Sequence, residues 1–107
     1  MEEVVFISPG AIRGYHVYST IWEAESGEVL TTSQERGNVH DRFAVAVKKE
    51  RLTVGHLPIE ISKLCWFFIR RGGTITCEVT GTRRRSNLEQ GVLEIPCDLT
   101  FKGPTTL

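Results

Sequence analysis

Most of the features that announce chemistry are missing from this 107-residue chain. No run of about 18 apolar residues occurs, which excludes a membrane-spanning helix. Three cysteines and three histidines show neither Cys-x-x-Cys nor His-x-x-x-His spacing, so no metal site is expected. There is no Gly-rich phosphate loop, which removes the ATPase class and leaves no cofactor to expect. Asn38 and Asn87 are followed two residues on by His40 and Glu89, so the N-x-[ST] glycosylation pattern is absent. Met1, Glu2 and Glu3 make an acidic start, and the apolar patch after them is too short for a signal peptide. Cys65, Cys77 and Cys97 are odd in number and lie in apolar patterns, which reads as reduced thiols rather than a disulfide framework. A Cys–His–Asp set can be assembled on paper, but inward-facing thiols are usually inert, so no catalytic residue is expected. The expectation is an intracellular protein, nuclear or cytoplasmic, and not an enzyme.

What is present fits one small domain over residues 1–107, with 40% apolar and 24% charged residues. Net charge is zero but unevenly spread. Residues 1–41 hold seven acids against Arg13 and Arg36, while residues 42–107 hold eleven Lys/Arg against six acids. The basic surplus gathers at Lys48-Lys49, Arg70-Arg71 and Arg83-Arg84-Arg85. Such clusters suit a polyanion, although charge runs are more often solvated faces. A neutral domain argues against a long footprint on duplex DNA.

Residues 38–58 organise the rest. A turn crowded with donors and acceptors, Asn38, His40 and Asp41, runs into an apolar strand at residues 43–47. That strand carries Phe43, Val45 and Val47 on one face and Ala44 and Ala46 on the other; the small residues would let a helix approach. A partner strand at residues 52–57 ends in Gly55-His56-Leu57-Pro58. Pro58 suits a first helical position, and Ile61, Leu64, Cys65, Phe68 and Ile69 follow at helical spacing. Gly72-Gly73 ends this helix, which spans about residues 58–71, with Arg70 and Arg71 favouring its dipole. Trp66 and Phe67 fall off the apolar stripe.

Residues 4–7 are a short apolar run closed by a turn signal at Ser8-Pro9-Gly10. Other strands are expected at 15–18 and at 29–35. Residues 19–22 continue the first of these or form an irregular connection. Residues 74–80 and 93–101 alternate cleanly, with a basic loop at 81–90 between them. Pro96 cannot donate to a ladder, so the last strand should lie at an edge or carry a bulge there. The fold class is mainly β: a small, partly open barrel of the OB or SH3-like kind, with five to six strands and one inserted α-helix.

The order of pieces resembles the HIRAN domain over roughly residues 11–103. Carrying the likeness are Glu35-Arg36-Gly37-Asn38, Asp41-Arg42-Phe43-Ala44-Val45-Ala46-Val47 and Val54-Gly55-His56-Leu57-Pro58 at their mutual spacing, with the helix after them. The resemblance implies an OB-related barrel that binds single-stranded DNA, in the helicase-borne members by capturing a free 3′ end. It implies that Asp41 accepts a hydrogen bond from the terminal 3′-hydroxyl and that Asn38 is the turn asparagine. It places His40 where those members have a base-stacking aromatic, and His56 near the DNA backbone. Tyr15 or Tyr18 could stand for the aromatic of a first-strand Arg-Tyr pair. A lysine after Gly-His-Leu is replaced by Ile59 or Glu60.

Simple chemistry supports two readings of most of these positions. An ionised Asp41 only accepts hydrogen bonds, so it would welcome a hydroxyl and repel a phosphate; the plainer role is an Asx-turn. His40 could stack a base, worth about 1–3 kcal/mol for an aromatic platform, or be an idle turn residue. Histidines like His56 in apolar strands are more often satisfied by the core than by a ligand. Tyr15, Tyr18 and Trp22 could form a stacking platform or sit in the core. Arg83, Arg84 and Arg85 could follow phosphates or be merely solvated. The expected partner is therefore single-stranded DNA, or RNA. A rival reading is a protein-interaction module using the helix near Trp66 and Phe67.

Overall fold

The computed structural model describes residues 3–14, 22–85 and 93–104. Its elements are β1 (Glu3–Arg13), β2 (Val29–Gln34), β3 (Val45–Lys49), β4 (Leu52–His56), α1 (Ile59–Arg70), β5 (Thr74–Val79), β6 (Arg84–Arg85) and β7 (Leu93–Pro104). The strands run β1-β4-β3-β2-β5-β7, and β7 pairs back onto β1, so six antiparallel strands close into a barrel. Two-residue β6 adds to the side of β7, where a plain loop is expected from sequence. The closure is uneven. β1 pairs with β7 from Glu3↔Pro104 to Arg13↔Glu94, yet among the described residues it meets β4 only at Arg13↔His56.

Period-two alternation puts Ile75, Cys77 and Val79 of β5 and Ile95, Cys97, Leu99 and Phe101 of β7 inside. They join Ile12, Leu30, Val45, Val47 and Val54 in one core, which α1 covers with Cys65 and Trp66. The three cysteines are buried free thiols. Burial pushes the Cys65 thiol up to about 11, and contact with Cys97 together with burial raises Cys77 further. Cys65 and Cys77 are therefore protonated and inert near neutral pH.

Several local expectations are corrected. Ser8, Pro9 and Gly10 do not turn the chain; they continue β1 opposite β7. Pro9 is tolerated because this part of β1 has no second partner strand among the described residues. Gly10 lies under Leu99, whose Cδ1 would be 2.6 Å from a Cβ there. Pro96 does not lie in an edge strand. It sits in a strand paired on both sides, in the gap where the β7 partner changes from β5 (Val79↔Cys97) to β6 (Arg84↔Glu94).

The helix begins one residue later than expected, with Pro58 (φ −56°, ψ 141°) as its cap. Its buried face holds Ser62, Cys65 and Trp66, whereas Leu64 is 67% exposed. The barrel side of α1 is met by Phe43, whose ring lies 6.0 Å from Trp66 and 5.5 Å from Phe67, centroid to centroid. The bulky face of the residue 43–47 stretch, not the alanine face, thus receives the helix. Among the described residues no helix is long and apolar enough to cross a membrane.

Candidate functional site

Strand pairing brings the ends of two strands together at the rim of the barrel. Arg13 closes β1 and His56 closes β4, and they are direct partners across the ladder. Gly14 (φ +73°) then turns the chain away, a conformation that favours glycine. After β2, the Glu35 N–H donates to the Ala44 carbonyl at 2.8 Å, which pins both ends of the intervening turn.

Asn38 builds that turn. Its Oδ1 accepts from the N–H groups of His40 (2.8 Å) and Asp41 (3.1 Å), and its Nδ2 donates to Glu35 Oε1 at 2.9 Å. Asp41 Oδ1 accepts from the Phe43 N–H at 2.9 Å, the Asx-turn of the plainer reading. Only one carboxylate oxygen is used in this way. Asp41 Oδ2 has no hydrogen-bond partner among the described residues.

Glu35 Oε2 lies 2.9 Å from His56 Nε2. Burial pushes the Glu35 carboxyl up, but hydrogen bonds from His56 and Asn38 outweigh it and hold the group below its ordinary value. An ionised carboxylate only accepts, so Nε2 of His56 carries the proton. On the other side, Arg13 is 8% exposed and donates from Nη1 to Glu60 Oε2 (2.6 Å) and from Nε to Glu94 Oε1 (3.2 Å). Burial lowers the Arg13 pKa, and these two partners more than restore it. Glu60 is likewise pushed up by burial and drawn further down by Arg13.

Around these groups lies a cavity of about 410 Å³ lined by Arg13, Glu35, Asn38, His40, Asp41 and His56, with Ile59 among its apolar walls. This is within the range of small-ligand sites, about 300–1,000 Å³. Four residues singled out from sequence, Asn38, His40, Asp41 and His56, therefore share one pocket. Arg83 and Arg84 do not line it. Arg84 donates to Glu94 Oε2 at 3.1 Å and reaches the pocket only through that buried glutamate. The Arg85 side chain, Tyr15 and Tyr18 lie outside what the structure describes. Trp22 is core, 5% exposed, with its Nε1 donating to Glu28. Trp66, 6% exposed, is not the surface aromatic of the rival reading.

Sequence reasoning missed Arg13 and the full part played by Glu35. For Glu35 a signal existed: a carboxylate three residues before a turn asparagine is within reach of its amide. Among the described residues no group of three or more His, Cys, Asp or Glu could hold a metal ion.

Fold and pocket define a small one-helix β-barrel with a cavity at its rim where polar side chains meet apolar walls. That is the fold of a HIRAN domain: the crystal structure of the HIRAN domain of human HLTF matches with a TM-score of 0.75, at 20% identity, over 97% of this chain and 82% of that one. A protein from Lactobacillus plantarum matches with a TM-score of 0.67, at 14% identity, over 96% of this chain and 100% of that one. No protein-family model matches the chain, and no curated protein does.

Proposed function

We propose that the pocket at the barrel rim binds the end of a single nucleic-acid strand, DNA in the first instance, and that it selects a free 3′-hydroxyl. The observation that carries this reading is the open Oδ2 of Asp41 in a cavity that also gathers Asn38, His40 and His56. The charges of the lining favour a hydroxyl over a terminal phosphate. Glu35 and Asp41 oppose Arg13, whose guanidinium already serves Glu60 and Glu94. A phosphate seated there would face two carboxylates. His40, exposed at the rim, would stack on the terminal base.

The test is fluorescence anisotropy with short strands that differ only in a 3′-hydroxyl, a 3′-phosphate or a 3′ end buried in a hairpin. Preference for the free hydroxyl, lost in Asp41→Ala, is expected. Equal binding to all three would reduce the site to a general single-strand groove, and binding to none would overturn the reading. RNA strands in the same series show whether a 2′-hydroxyl is accepted.

A protein contact on α1 is the second reading, moved from Trp66 to Leu64. Leu64, with Phe67 and Phe68, lines a groove of about 650 Å³ on the outer face of the helix. Leu64→Glu should abolish a partner's binding there without touching strand binding.

A further inference from the structure

The turn between Glu35 and Ala44 has two sides. Glu35, Asn38, His40, Asp41 and Ala44 face the pocket already described. On the other side, Arg36, Gly37, Arg42 and Phe43 join Trp66 and Arg70 of α1 around a separate cleft of about 260 Å³. Three guanidinium groups line this cleft, and among the described residues no carboxylate does. Among the described residues none of the three forms an ion pair or side-chain hydrogen bond there. In the other pocket, by contrast, Arg13 pairs with Glu60 and with Glu94.

Two of these cations are held ready. The Arg36 guanidinium carbon sits 5.6 Å from the centroid of the Trp66 ring, and that of Arg42 sits 5.6 Å from Phe43. Trp66 is in turn fixed by the core and by its edge contact with Phe43. Stacking on a fixed ring restrains a long side chain before any ligand arrives, so less ordering is lost on binding. Gly37 (φ +78°) adds no bulk, and nothing lies within 4 Å of where its Cβ would be. The cleft is too small for a typical organic ligand but open to a tetrahedral anion, and planar guanidiniums match phosphate oxygens in pairs.

We propose that Arg36, Arg42 and Arg70 form a phosphate site, which takes backbone phosphates of a strand whose end lies in the pocket across the same turn. The choice of a phosphodiester rests on the strand-end reading; the anion site itself rests on the cleft. One strand crossing the turn places its end among carboxylates and its backbone among cations, the charge order that a hydroxyl-terminated chain requires.

The experiment compares wild type with a triple variant, Arg36→Gln, Arg42→Gln and Arg70→Gln. An equal-charge control carries Lys48→Gln, Arg51→Gln and Lys102→Gln. Strands of about three and about twelve nucleotides are titrated over a range of salt, the longer one within the footprint of small barrels. The triple variant is expected to bind the short strand as wild type does and to lose about tenfold or more in affinity for the long one. Its salt slope should become shallower by about two, near 0.7 for each phosphate no longer neutralised. Wild-type affinity and slope in the triple variant would overturn the proposal. Asp41→Ala reports on the end pocket separately.

Pyrophosphate alone, followed by the arginine Nε–Hε NMR signals, provides a readout that needs no strand. Saturable shifts at Arg36, Arg42 and Arg70, but not at Arg51, support the site. Their absence overturns it whatever the strands do. Shifts with no strand binding by wild type would overturn the end reading and keep the anion site.

Discussion

At Gly55 the chain has no room for a side chain. A Cβ there would lie 2.5 Å from Ile12 Cγ2 and 2.8 Å from the Arg13 carbonyl oxygen, which is backbone and cannot swing aside. The glycine before His56 thus lets β1 come close enough for Arg13 and His56 to be paired. Gly55→Ala should cost about 1–3 kcal/mol as an overpacked contact, read from urea unfolding. It should also weaken strand binding more than the stability loss explains, because Arg13 and His56 are forced apart. A neutral outcome in both measurements would refute this role. The turn residues were legible in sequence because their chemistry is local: Asn38 bonds groups two and three positions on. Arg13 was not. It stands 22 residues before Glu35 and reaches the site only through a strand pair that no local pattern encodes.

For the helix, apolar spacing identifies the element and misplaces its face. Ser62 is 2% exposed because its hydroxyl donates to the Ile59 carbonyl, which lets a polar residue occupy an inward position. Trp66 then reaches Phe43, and Leu64 turns outward. Trp66→Ala should cost about 3–5 kcal/mol, and Leu64→Ala should change stability by less than about 0.5 kcal/mol. Comparable losses from both would mean that the helix sits as its spacing alone suggests. The strands were easier to read, since β5 and β7 alternate between an inner and an outer face over their length. Glu94 is the exception: it is 5% exposed and carries Arg13 and Arg84 on its two oxygens, a pairing invisible until β1, β6 and β7 meet.

Across the whole molecule, three carboxylates set the response to acid. Burial pushes Glu28, Glu35 and Glu60 up. Lys49 and Trp22, His56 and Asn38, and Arg13 respectively outweigh it and leave all three below the ordinary value. A depressed folded pKa means that the unfolded chain binds the proton first. These groups therefore stabilise the fold above the unfolded value, near 4.3, and lose that contribution as pH falls through their folded values. The urea midpoint should decline below about pH 4.5, and Glu35→Gln should flatten part of the decline. An unchanged profile in Glu35→Gln would remove that carboxylate from the account.

The uneven closure of the barrel has a consequence of its own. β1 is zipped to β7 along its length but clasped to β4 at one described pair, Arg13↔His56, and the pocket straddles that clasp. A ligand touching both residues would act as a rivet across the weakest join. Occupancy and closure would then be one equilibrium, and a tighter ligand would make a stiffer barrel. Amide hydrogen exchange at Arg13, His56 and Leu57 should slow on binding far more than exchange along the middle of β5 and β7. Equal slowing everywhere would mean that the barrel opens as a single body and that the clasp has no separate life.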